Sequence, residues 1–204
     1  LEQLDSRTEE ASKWIKKHDI TKVLMNPPFE NKYGCMIIVE NVLNSVSPGT
    51  MCAFILPDKK LEKISKVQTK RILKNHRLRK VIKLPEDLFV VGMPTSVFIF
   101  ESGVPQNDNE FFACYMKEDG LATVKNKGRH DVYDKWEKIK KYWMEVVSKQ
   151  SGDESCQWIN PTKNLSYQLP EKSSRFLTKI FVRPRWIIRC FKIILMLRAS
   201  QIVY

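Results

Sequence analysis

Met51 to Pro57 reads MCAFILP, a run of strand length without a single charge. It shows no apolar–polar alternation, so it belongs in a strand covered on both faces. Such a strand needs helices above and below it, and the flanking sequence supplies them. Over Lys32–Ser47, Met36, Val39, Val42, Leu43 and Val46 recur at helical spacing, and Pro48-Gly49 closes the segment with a turn. Leu61–His76 reads as a second helix with a Lys-rich outer face. Lys22–Asn26, Leu78–Leu84, Thr95–Glu101 and Glu110–Met116 read as further strands, the second and third split by the loop PEDLFVVGMP. Tyr133–Ser148 is a helix with Trp136, Ile139, Trp143, Val146 and Val147 on one side. Near the start, Ser6-Arg7-Thr8-Glu9 has the capping-box form and EEASKWIKKH follows as a short amphipathic helix. The alternation predicts an α/β fold: a parallel or mixed sheet with helices on both faces. Lys22–Asn26 and Met51–Leu56 are expected to lie side by side and parallel, joined by a right-handed crossover.

The formal charge of +12 suggests nucleic acid, but its distribution is uneven. From Lys172 to Tyr204 there are eight Lys or Arg and no acid, so the preceding residues carry only +4. The tail has no consistent apolar period, its charges recur too often for a membrane span, and Arg183-Pro184-Arg185 would break a surface helix. One legal back-translation of Ser173 to Lys192, read two bases later, gives FEIFDEDFCKTAMDYSLF and a stop. That is an acidic, amphipathic ending, so residues 172–204 are expected to be a frameshifted tail in which Trp186, Ile187 and Ile194 pack poorly. Five widely spaced cysteines without a C-x-x-C argue against zinc and against a disulfide framework, and suit the cytoplasm.

The chemistry is expected at VLMNPPFE, where an apolar strand stops on an amide. In an open α/β sheet, ligands bind at the carboxyl ends of the strands, and Asn26 sits at such an end. Pro27 and Pro28 fix φ and remove two N–H donors. What remains is rich in acceptors: the Asn26 side-chain oxygen and nearby carbonyls. Phe29 adds a flat apolar face. Together they form a receptor for a planar group bearing an amino substituent, such as an extruded nucleobase.

Asn26-Pro27-Pro28-Phe29 resembles the catalytic motif of the S-adenosylmethionine-dependent amino-methyltransferases. The blocks GTMCAFILP, LKNHRLRKVIKLPEDLF and MPTSVFIFES, then FFACYMKEDGLATVKNKGRHDVYDKWEKI, are similar to the modification subunits of type I restriction–modification systems. The resemblance covers residues 20 to 171. It implies a partial Rossmann-like methyltransferase sheet and N6-adenine methylation of DNA. Asn26 and the Pro27 carbonyl would accept from the adenine amino group, and Phe29 would stack on the base. It implies S-adenosylmethionine as cofactor, and DNA with specificity and restriction subunits as partners.

The family's cofactor turn is glycine-rich and precedes the catalytic motif by more than a βαβ unit, about 30 residues. Only 25 residues precede Asn26, and the seven glycines form no G-x-G. The chain is therefore expected to lack the cofactor-binding half and to be inactive alone. The organisation expected is residues 1–104 as the C-terminal part of a catalytic domain, 105–171 as a following α+β segment, and 172–204 as the tail. Two other readings fit part of the pattern: an N-methyltransferase acting on glutamine or RNA, and a non-catalytic remnant that docks partner subunits. His18, His76 and His130 have no partner at ligand or triad spacing and read as surface or loop residues; no metal site is expected. KNKGRHD, Lys125 to Asp131, reads as a solvated loop.

Overall fold

The computed structural model describes residues 3–29, 34–58, 61, 66–88, 92–161 and 165–169. The 172–204 tail lies outside the described residues, as do parts of the segments around residues 30–33, 59–65 and 89–91. The described elements are α1 (Glu9–Lys17), β1 (Lys22–Met25), α2 (Gly34–Ser45), β2 (Met51–Pro57), α3 (Lys66–Asn75), β3 (Arg77–Lys83), β4 (Thr95–Glu101), β5 (Phe111–Tyr115), β6 (Ala122–Val124), β7 (Gly128–His130), α4 (Trp136–Lys149) and β8 (Cys156–Ile159).

Six strands form one mixed sheet in the order β1-β2-β4-β3-β5-β8. As expected, β1 and β2 are parallel neighbours, with Val23 opposite Cys52 and Met25 opposite Phe54. The strand β4 runs antiparallel between β2 and β3, so the loop from β3 to β4 turns back at the carboxyl edge of the sheet. β5 joins parallel to β3, and β8 closes the edge antiparallel to β5. The sheet thus runs without a break across residue 104. MCAFILP fills β2, which is half-buried or fully buried along its length.

Helices cover both faces. Val39, Val42 and Leu43 of α2 and Ile72 of α3 pack with Phe54, Phe98, Phe100 and Leu78 on one face. Trp143, Val146 and Val147 of α4 pack with Ile82, Phe112 and Cys114 on the other. α1 leans on α2, where Ser12 Oγ donates to Asn41 Oδ1 at 2.7 Å. Its cap is Thr8, not Ser6: Thr8 accepts from the Ala11 N–H, and the helix opens at Glu9. Asp5 decides this, because its side chain takes the Arg7 N–H and its carbonyl takes the Thr8 hydroxyl. The turn of the chain is therefore complete two residues later than the capping-box pattern implies.

His18 and His130 are exposed, but the surface reading is wrong for His76, which is 3% exposed. Gly103 N–H donates to its Nδ1 at 3.0 Å, and its Nε2 faces Asn44 Oδ1 at 3.0 Å. The ring is neutral in this arrangement, with the proton on Nε2. Burial lowers its pKa below the ordinary 6.5, against a weaker opposing pull from Glu40. Gly103 itself has φ +67°, and a Cβ there would lie 2.7 Å from the Pro48 side chain. Between the folded pKa and 6.5 the unfolded chain takes up a proton that the fold refuses. The stability that His76 confers is full above pH 6.5 and declines as pH falls through that window. Urea unfolding is expected to show a lower midpoint at about pH 5.5 than at about pH 7, with the drop flattened in His76→Gln. An equal drop in the variant would assign the effect to other groups.

Candidate active site

β1 ends at Met25 because Asn26 leaves the pairing and Pro27 has no N–H to continue it. Asn26 and Pro28 are exposed, Pro27 is buried, and Phe29 is half-buried. Phe29 packs on the apolar cluster that contains Ile55, Leu84 and Val97, which come from the carboxyl ends of β2 and β3 and the start of β4. Burial of Pro27 anchors the turn while its neighbours stay open. The structure thus places an exposed amide and a half-buried aromatic ring at the carboxyl edge. Chemically, the edge can accept hydrogen bonds from an amino group and cover a flat ring.

A second group of polar side chains stands at the same edge, and sequence reasoning missed it. Asp58 follows the end of β2, Lys83 ends β3 and Ser96 begins β4. Lys83 Nζ donates to Asp58 Oδ2 at 2.6 Å, and Ser96 Oγ donates to Asp58 Oδ1 at 2.6 Å. The Lys83 ammonium also lies 5.5 Å from the centre of the Tyr115 ring. Lys83 is 3% exposed and is ion-paired with Asp58. Burial pushes the Tyr115 phenol upward, helped by the carboxylates of Glu86, Asp58 and Asp87. The signal available in sequence was Lys83 itself, a charge inside the apolar run Val81 to Leu84.

The third group is an arginine latch. Arg129 donates through Nη2 to Asp119 Oδ1 at 2.6 Å and through Nη1 to Asp87 Oδ2 at 2.9 Å. Asp119 is buried, and Asp87 belongs to the loop that follows β3. Two short strands, β6 and β7, make the hairpin that carries Arg129. KNKGRHD is therefore not a simple loop. Its Asn126 and Gly128 take positive φ (61° and 78°), the backbone a tight hairpin needs.

Among the described residues, no group of three or more His, Cys, Asp or Glu is placed to hold a metal. No helix among them is long and apolar enough to cross a membrane. Cys35, Cys52, Cys114 and Cys156 are free thiols.

No protein-family model matches the chain. The type II restriction enzyme and methyltransferase RM.BcgI of Heyndrickxia coagulans is 29% identical over 124 residues, 54% of this chain and 19% of that protein. The modification subunit of a type I restriction enzyme from Vibrio vulnificus shares the fold with a TM-score of 0.54 at 15% identity, over 75% of this chain and 36% of that one. A subunit from a study of type I restriction–modification assembly gives 0.56 at 16% identity, over 78% and 39%. The chain is similar to restriction–modification methyltransferases. The chain spans about a fifth of the curated protein it matches and less than two fifths of either solved chain. Its mixed α/β sheet with helices on both faces is the architecture the sequence called for.

Proposed function

We propose that the chain is part of a DNA adenine-N6 methyltransferase of a restriction–modification system. Residues 1–104 are the C-terminal part of its catalytic domain and 105–171 a following segment. The observation that carries this reading is the exposed Asn26 beside half-buried Phe29 at the carboxyl edge of the sheet. Asn26 Oδ1 and the Pro27 carbonyl accept from the amino group of an extruded adenine. That favours a pyramidal nitrogen whose lone pair is free to attack. Phe29 covers the ring and holds the base in one orientation. Such catalysis rests on positioning and electrostatics.

The methyl donor of this reading is S-adenosylmethionine, and the described residues do not make a cradle for it. The turn from β1 carries prolines where a close backbone approach would need glycine, and among the described residues β1 is the last strand of the sheet on that side. The cofactor half is supplied in cis or in trans, and specificity and restriction subunits complete the assembly. The test is calorimetry with the chain alone and radiolabel transfer after a cofactor half is provided. The expected result is no tight S-adenosylmethionine binding by the chain, and methyl label on adenine N6 of duplex DNA once the half is restored. Label on a protein glutamine or on RNA in its place would replace the substrate; micromolar cofactor binding by the chain alone would refute the division of labour.

A further inference from the structure

Two of the free thiols stand directly opposite each other. Cys114 in β5 is the register partner of Cys156 in β8, on antiparallel strands, so both side chains leave the same face of the sheet. That is the face α4 covers, where Cys114 belongs to the apolar cluster and Cys156 packs against it. The ladder puts this pair at a non-hydrogen-bonded position. One step along, the Tyr115 N–H donates to the Ser155 carbonyl at 3.3 Å, and the Cys156 N–H turns away to the Asp153 carbonyl at 3.0 Å. Opposed residues at such a position have Cα atoms about 4.5 Å apart, with side chains closer than at a hydrogen-bonded pair. A disulfide needs Cα atoms about 4.4–6.8 Å apart, so these two strands can be bridged where they stand.

Access differs between the two thiols. Cys114 is 0% exposed, whereas Cys156 is half-buried on β8, the outer strand of the sheet among the described residues. Exposed Gly152 keeps a side chain off its sulfur, since a Cβ there would lie 2.8 Å from Sγ. Cys156 is therefore the thiol a small oxidant reaches, with Cys114 held behind it. Burial raises both thiols above their ordinary value, Cys114 to about 12, so thiolate is scarce at neutral pH and reaction is slow. The pair suits a lasting response to sustained oxidant better than a fast signal.

We propose that Cys114 and Cys156 form a redox-sensitive staple, closed by a peroxide, that fixes β8 to β5. The Cys156 thiol takes one oxygen from hydrogen peroxide: an S–O bond forms, the O–O bond breaks and one water leaves. The Cys114 sulfur then attacks the sulfenic sulfur. The S–S bond forms as the S–O bond breaks, and the hydroxide leaves with the Cys114 proton as a second water. Two thiols lose two hydrogens, and one peroxide becomes two waters. The new bond closes the loop of residues 115–155, which carries β6, β7, α4 and the Arg129 latch. Closing a long loop restrains the unfolded chain and so stabilises the fold. None of this depends on the methyltransferase reading.

The experiment treats the reduced full chain with hydrogen peroxide, blocks remaining thiols, and maps the non-reduced digest by mass spectrometry beside urea unfolding. Wild type is compared with Cys156→Ser and Cys156→Ala, both at a half-buried position. The expected product is a peptide pair joined through Cys114 and Cys156, two hydrogens lighter than the separate thiols. The urea midpoint of oxidised wild type should rise and return with dithiothreitol. Neither variant should show the link or the rise. The variants keep every methionine, so a change common to all three proteins belongs to methionine oxidation and overturns the staple as its cause. Cys156 found only as sulfinic or sulfonic acid beside a free Cys114 overturns the inference. So does a disulfide from either residue to Cys190 or to a second chain, and so does a Cys114–Cys156 link that leaves the midpoint unmoved.

Discussion

In an enzyme completed with a cofactor half, Asn26→Ala is expected to lower methyl transfer to adenine by about 10²–10³-fold or more, with little change in DNA binding. In the proposed function the amide hydrogen-bonds the reacting amino group, so the contact matters most as that nitrogen changes geometry. Loss of one preorganised polar contact at a reacting atom has a cost of this order. Because the interaction is stronger in the transition state than in the ground state, kcat should fall and KM should hold. Asn26→Asp is the informative companion: it keeps the acceptor and adds a charge. Phe29 should behave differently. Phe29→Leu keeps apolar packing against Ile55, Leu84 and Val97 but removes the flat face. It is expected to raise KM for DNA, since base–aromatic stacking contributes about 1–3 kcal/mol. Single-turnover kinetics separates the two. Full activity in Asn26→Ala would remove the site assignment outright.

Phe100→Ala should be the most destabilising single truncation in the core, by about 3–5 kcal/mol. Phe100 lies in β4, the strand flanked by β2 and β3, and it is fully buried. It sits opposite Cys52 on one side and Leu78 on the other, and its ring meets Phe54 edge-on at 6.3 Å. Removing it opens a cavity where three strands and the α2–α3 layer converge. A domain of this size has about 5–15 kcal/mol in total, so the variant should unfold at a markedly lower urea concentration. Val67→Ala, at a position 67% exposed on α3, is the matched control and should stay within about 0.5 kcal/mol of wild type. A shift of under about 1 kcal/mol for Phe100→Ala would mean that the α2–α3 face of the sheet is not packed as described.

Which parts of this molecule were legible in advance follows from how far each signal reaches along the chain. The apolar run Met51–Pro57 has nowhere to go but a covered strand, and the helical spacing from Met36 to Val46 demands one apolar side. Those are local patterns, and α2, β2, β3, β4, β5 and α4 stand within a few residues of where they were expected. Asn26-Pro27-Pro28-Phe29 was legible for the same reason: the prolines dictate the strand end, and the strand end is where an α/β sheet receives ligands. β8 was not legible. CQWI is four residues long and half-exposed, and it becomes a strand only because β5 offers it an edge. The hairpin β6–β7 has strands of three residues, too short for an alternation to show.

Burial of His76, the Lys83–Asp58–Ser96 group and the Arg129 latch belong to the tertiary structure. Each joins residues 10 to 42 positions apart: Asn44 with His76, Asp58 with Lys83, Asp87 and Asp119 with Arg129. No local pattern can announce such a pair, because a charge or a ring nitrogen has the same sequence signature whether water or a distant carboxylate satisfies it. By itself the sequence determined the α/β class, the parallel β1–β2 pair and the strand end at Asn26, since strand period, helix period and proline stereochemistry act within a few residues. The tertiary structure decided that β4 inserts antiparallel at the centre and that 105–161 extends the same sheet. It also decided that the β6–β7 hairpin is latched through Arg129 to Asp87 and Asp119, because these depend on which strand edge and which carboxylate each segment meets.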